Sequence, residues 1–162
     1  MAQSPSHPYP SGVANPVELR AWAALPAANA WDAAPEEIPC PTFWWVRLYF
    51  TYQRADGAQG GTLDYYYDLS PYSADALANN EAWFHGTIYS AGDLTPCTMV
   101  QSAVQQEYIS FCPVTADAET FISPPIHLAG CIERVRVFCR QAPGTGLAPG
   151  NAEVMGLFYV EG

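Results

Sequence analysis

The sequence predicts a mostly β protein: an antiparallel β-sandwich or jelly roll behind an extended proline-rich N-terminal arm, with one or two short helices. Three observations predict it. Side chains divide between two faces with period two over 43–53, 62–69 and 131–141, the period of a strand. Turn-forming residues separate these runs, and no long stretch follows a helical period. Eight of the 15 prolines fall within residues 1–42, at positions 5, 8, 10, 16, 26, 35, 39 and 41. That spacing forbids a long helix and removes donors from any interior strand.

In chain order, residues 1–42 form the arm and 43–162 the sandwich domain. Within the arm, Asn15-Pro16 is a helix-opening pair, so a short helix is expected over 17–25 and a second short turn over 27–31. The rest should run close to polyproline II. The apolar side chains between the prolines, above all Tyr9, Trp22 and Trp31, are anchors rather than the composition of a disordered tail.

Residues 43–53 place Trp44, Val46, Leu48, Phe50 and Tyr52 on one face, with Phe43, Trp45, Arg47, Tyr49 and Thr51 on the other. RADGAQGG, 54–61, has the Asp-Gly and Gly-Gly pairs of a hairpin loop. In 62–69, Leu63, Tyr65, Tyr67 and Leu69 point inward, and Asp64, Tyr66 and Asp68 outward. A short helix follows over 73–80, then a strand over 83–90. Residues 97–105 fit either a helical stripe behind Thr95-Pro96 or a strand. Strands follow at 107–112, at 120–128 broken by Pro124-Pro125, at 131–141 and at 152–161. In 131–141, Val135, Val137 and Cys139 face one way; Arg134, Arg136, Phe138 and Arg140 face the other.

Composition excludes several functions. Sixteen acids stand against six bases, all Arg, for a net charge of −10. Nucleic-acid binding needs a positive face, and docking on anionic lipid needs one too, so neither partner is expected. No apolar run approaches a membrane span, and no basic and apolar leader opens the chain. The five cysteines form no CxxC pair. Cys112, Cys131 and Cys139 lie in apolar runs and are expected to be buried free thiols, which suits a reducing cytoplasm.

Catalytic chemistry has no motif here. His7, His85 and His127 have no metal-like spacing to other ligands. Asp64 and Asp68 share a strand face, but four residues apart their backbones lie about 13 Å apart, beyond a glycosidase pair of about 5–9.5 Å. No GxSxG elbow, phosphate loop or activated thiol is present. Catalytic residues, metal and cofactor are therefore all expected to be none.

Surfaces remain. Both faces of the 43–53 strand are aromatic, so one should meet the arm, a neighbouring subunit or a glycan. Ten acids and no base lie between Ala55 and Glu133, after which Arg134, Arg136 and Arg140 share a face. Such a row can pair between copies or form a ladder within one chain. The expected oligomer or particle interface is thus Tyr9, Trp22, Trp31, Arg134, Arg136 and Arg140. The alternative is a carbohydrate-binding face of Trp45, Asp64, Tyr66 and Asp68.

A proline-rich arm before a compact body that closes on CIERVRVFCR and NAEVMGLFYVEG resembles virion accessory proteins of tailed bacteriophages. These are head-decoration proteins, head-spike bases and some tail proteins. The resemblance implies a non-enzymatic homo-oligomer around a symmetry axis, with its arm on neighbouring subunits. It implies major capsid or tail proteins as partners and a place in the virion, assembled in the host cytoplasm. It carries over no catalytic residue.

Overall fold

A computed structural model describes residues 16–27, 29–55, 61–73, 83–86, 97–99, 108–114, 116–129, 132–142 and 148–160. These residues form strands and connections, with no helix among them. The strands are β1 (Val17–Ala24), β2 (Ile38–Pro39), β3 (Trp45–Gln53), β4 (Thr62–Ser70), β5 (Phe84–Gly86) and β6 (Cys97–Met99). After them come β7 (Ile109–Phe111), β8 (Glu119–Ile122), β9 (Ile126–His127), β10 (Arg134–Ala142) and β11 (Asn151–Tyr159). The first sheet, sheet A, has the order β1-β11-β3-β8, with β9 also on β3. The second, sheet B, has the order β2-β10-β4-β5-β6, with β7 also on β4. Every pairing is antiparallel.

The expected alternation decides what lies between the sheets. Val46, Leu48, Phe50 and Tyr52 of β3 meet Leu63, Tyr65, Tyr67 and Leu69 of β4, Val135, Val137 and Cys139 of β10, and Val154 and Phe158 of β11 in one core. The Phe50 and Tyr65 rings touch across it, 4.2 Å between centroids. The Pro124-Pro125 break separates β8 from β9 as expected. Ser123 bridges it, its Oγ accepting from Leu48 N at 2.9 Å and its N donating to Leu48 O at 2.8 Å. The backbone of β3 therefore keeps partners where proline cannot supply them.

Several expectations are corrected. Residues 17–25 are not a helix: β1 pairs with β11 at the edge of sheet A. The segment read as an arm before the sandwich domain supplies part of the core: Leu19, Leu25, Ile38 and Cys40 are core residues. Burial of these four side chains outweighed the weak Asn-Pro start signal. β3 and β4 do not pair as a hairpin, since they lie in different sheets; residues 56–60 of the expected loop lie outside the described residues. The same holds for β10 and β11. Instead β3 pairs with β11 and β4 with β10, so two adjacent chain segments turn together from one sheet to the other. β6 resolves the helix–strand ambiguity at 97–99 as strand. The expected helix at 73–80 lies outside the described residues beyond Ser73, as do residues 1–15.

The turn from sheet to sheet is held by Gln141. Its Oε1 accepts from the Tyr52 hydroxyl at 2.8 Å and from Gly150 N at 2.7 Å, and its Nε2 donates to Ala148 O at 3.0 Å. Gly150 is required for closeness: a Cβ there would stand 2.3 Å from Gln53 O and 2.8 Å from Tyr52 Cε2. Cys40 and Cys139 are buried free thiols, whereas Cys112, expected to be buried, is exposed. Cys112 sits just past β7, beside Pro113, where the strand has ended.

Gly150→Ala is expected to destabilise the protein by about 1–3 kcal/mol, because the obstacle is backbone, not a movable side chain. Gly61→Ala, whose Cβ would meet Tyr52 Oη at 3.1 Å, should cost less; urea unfolding of both variants checks the order. The core also sets an alkaline limit. Burial raises the Cys40 thiol from 9.0 to about 12, with Glu133 adding to the rise, and raises the Tyr52 phenol from 10.0 to about 12. Above pH 9 the unfolded chain releases these protons while the fold retains them. The unfolded state then binds fewer protons, so stability falls as pH rises from about 9 toward 12. Urea midpoints at about pH 8 and about pH 10.5 should show the fall, and Cys40→Ala should flatten it.

Candidate functional site

The outer face of sheet B gathers most of the expected site residues. β10 and β4 pair in a register that sets Arg136 opposite Asp68, Phe138 opposite Tyr66 and Arg140 opposite Asp64. The pairings are closed side chain to side chain. Arg136 donates to Asp68 Oδ2 from Nε at 3.0 Å and from Nη2 at 2.8 Å. Arg140 Nε donates to Asp64 Oδ2 at 3.0 Å. Asp64 Oδ1 also accepts from Thr62 Oγ1 at 3.0 Å and from Ser110 Oγ. Between the two ion pairs, Tyr66 and Phe138 stack at 4.4 Å with 12° between planes.

Aromatic rings lie over this ladder. Trp83 packs on the guanidinium of Arg136 at 4.0 Å and of Arg134 at 4.7 Å. Trp31 packs on Arg140 at 4.4 Å and meets Tyr66 edge-on at 4.7 Å. Tyr108 covers Arg140 from another side at 4.5 Å. Arg134 is held by Tyr72 O at 2.7 Å and Glu37 Oε2 at 2.6 Å. As a result Asp64 and Asp68 are only 1% and 4% exposed. A buried carboxylate stays ionised only when paired in this way.

Trp31 reaches the face because Asp32 is fixed beside it. Asp32 N donates to Cys139 O, and Cys139 N donates to Asp32 Oδ2, both at 3.0 Å. Residue 32 thus occupies the edge of β10 where β2 has ended. The same carboxylate pairs with Arg20 Nε of β1 at 3.1 Å.

Of the expected interface residues, Trp31, Arg134, Arg136 and Arg140 therefore come together, bound within one chain. Trp22 stands apart on β1, 41% exposed. Tyr9 lies outside the described residues. Of the alternative glycan face, Asp64, Tyr66 and Asp68 are on sheet B, but Trp45 is on sheet A. The ladder had a signal in the sequence: D-x-Y-x-D in β4 mirrors R-x-F-x-R in β10, the spacing that antiparallel pairing needs.

The outer face of sheet A is built differently. At one end Trp45 stacks on His127 at 4.4 Å, with Trp44 47% exposed and Val160 44% exposed close by. Next along β3 comes Arg47, opposite Leu157. Then Glu18, Met155, Tyr49 and Ile122 form a row across four strands, and Glu153, Thr51 and Thr120 form the next. Sequence reasoning placed Arg47 and Tyr49 on this face but did not single them out. Among the described residues, no group of three His, Cys, Asp or Glu side chains could hold a metal, and no helix is long and apolar enough to cross a membrane.

Arg140→Met should cost about 3–5 kcal/mol, because it leaves the Asp64 charge buried. Asp64→Leu in the same chain should recover much of that loss. A loss in the double variant equal to the sum of the Arg140→Met and Asp64→Leu losses would show that the pair is not coupled; a double-mutant cycle in urea reads this directly.

No protein-family model, no curated protein and no solved structure matches this chain.

Proposed function

We propose that this protein is a non-enzymatic structural component of a phage-like particle, a head decoration, spike base or tail part that self-associates and anchors through its N-terminal segment. The observation that carries the reading is Trp22. It lies in the proline-spaced N-terminal segment, on an edge strand, with 41% of its surface exposed. Burying such a ring is worth about 1.5–3 kcal/mol by area, which a repeated contact multiplies over an oligomer. The turning of β3–β4 beside β10–β11 from sheet to sheet supports the jelly-roll form of the fold. Partners on this reading are further copies and the major capsid or tail proteins, and the location is the virion.

A second reading has one observation in its favour. The exposed Trp44 beside the Trp45–His127 stack is an aromatic platform of the kind on which sugar rings pack. Solution size separates the two. Sedimentation velocity and electron-microscope class averages of the full chain should show a closed oligomer with rotational symmetry. Trp22→Ser should keep the fold, by circular dichroism, and lose the oligomer. A monomer that binds glycans on its own would reverse the choice.

A further inference from the structure

We infer that the outer face of sheet A is a two-fold contact between copies of this chain, closed by Arg47 of each copy against Glu153 of the other. The inference rests on the self-association reading above and gives it a surface.

Arg47 is the starting point. Four of the six arginines are ion-paired: Arg20, Arg134, Arg136 and Arg140. Arg54 donates to Pro113 O. Arg47 alone among the described arginines has no hydrogen bond or ion pair, and its Nε is buried without an acceptor. Arg54 Nε is buried without an acceptor as well, but Arg47 has no other hydrogen bond, and its side chain is only half-buried, so the rest of its guanidinium is open to an anionic partner from outside.

The face offers that partner to a second copy of itself. Arg47 and Thr51 lie on β3 two rows apart, on either side of the Tyr49 row, and Glu153 stands directly opposite Thr51. Consider a two-fold axis lying along the Tyr49–Met155 row, across the strands. It inverts positions along each strand and keeps each strand over its own counterpart. The Arg47 row of one copy then lies over the Thr51–Glu153 row of the other, and the reverse holds by symmetry. Tyr49, Met155 and Ile122 form the centre, where Ile122 is 53% exposed. Glu153 makes no ion pair among the described residues, so its carboxylate needs no rearrangement to accept. The outer face of sheet B offers no such match, because its arginines already hold Asp64, Asp68 and Glu37.

Three strands of eight or nine residues, β1, β11 and β3, and the four-residue β8 beside them, about 4.8 Å apart, give a patch of roughly 500 Å² per copy. Two such patches bury roughly 1,000 Å², the low end for a specific contact, so the dimer should dissociate on dilution.

The test is sedimentation velocity of the full chain over a concentration series, with Arg47→Glu, Arg47→Glu/Glu153→Arg and Ile122→Lys. The expected result is a concentration-dependent two-copy species. Arg47→Glu should weaken it about tenfold or more by setting like charges together. The double variant, which restores opposite charges in both symmetry-related pairs, should regain it. Ile122→Lys, on an exposed side chain, should weaken it without disturbing the fold. A wild-type chain that stays monomeric overturns the inference, as does association that neither single variant changes. If the wild type forms a larger closed oligomer that the variants leave intact, this face is refuted while the self-association reading stands. If an Arg47-dependent dimer forms but nothing larger, the face stands and the particle reading fails.

Discussion

Two carboxylates that must stay charged inside the molecule organise sheet B. β4 is buried on both faces from Leu63 to Ser70, so Asp64 and Asp68 cannot be solvated as its outward alternation would suggest. An isolated buried carboxylate would cost far more than the fold's margin. Arg140 and Arg136 must therefore stand opposite, and they do so only in one register of β10 against β4. A shift of one residue would place Val137 or Cys139 against the acids and the arginines in the core. The charge pairs thus fix the register, and the apolar faces of both strands follow it. The Tyr66–Phe138 stack between the pairs excludes water from them, and Trp31 and Trp83 extend that cover.

Covering the ladder with Trp31 draws the N-terminal segment into the fold. β1 reaches sheet A through two register shifts, at which strand carbonyls lose their ladder partners. Arg20 answers them: its guanidinium donates to Ala23 O at 3.1 Å, Ala24 O at 3.0 Å and Ala152 O, while its Nε holds Asp32. The bulged edge is in this way both satisfied and blocked against a further strand. Gly156 allows the close approach, since a Cβ there would lie 2.5 Å from Leu19 Cδ1. Arg20 and Asp32 together link an edge of sheet A to an edge of sheet B.

How much of this was legible follows from the reach of each signal. Period-two alternation named the inward residues of β3, β4 and β10, because burial is set by neighbours within a strand. The Pro124-Pro125 break was legible for the same local reason. The fate of 54–61 was not: Asp-Gly and Gly-Gly favour tight turning, but whether the next strand joins the same sheet depends on which distant strands it pairs with. β1 was misread because its core content, chiefly Leu19, is small and its cap signal was local. The ladder was legible only as two mirrored spacings more than 60 residues apart, and the chain offered no measure of their burial.

The two outer faces end with opposite electrostatic characters, and one cause produces both. Among the described residues, the ion pairs engage four of the six arginines with Asp32, Glu37, Asp64 and Asp68, and leave Arg47 and Arg54 outside them, in a chain with sixteen acids. Three of those pairs lie on sheet B, whose outer face is consequently closed by its own residues. Sheet A, with one unpaired arginine among Trp45, Tyr49 and Met155, is the face left with unsatisfied chemistry. A surface so rich in acid repels unrelated copies at long range, and salt screens that repulsion over about 10 Å. Contact between copies is then favoured only where an arginine meets a carboxylate at short range, which restricts the geometry more strongly than apolar area alone would.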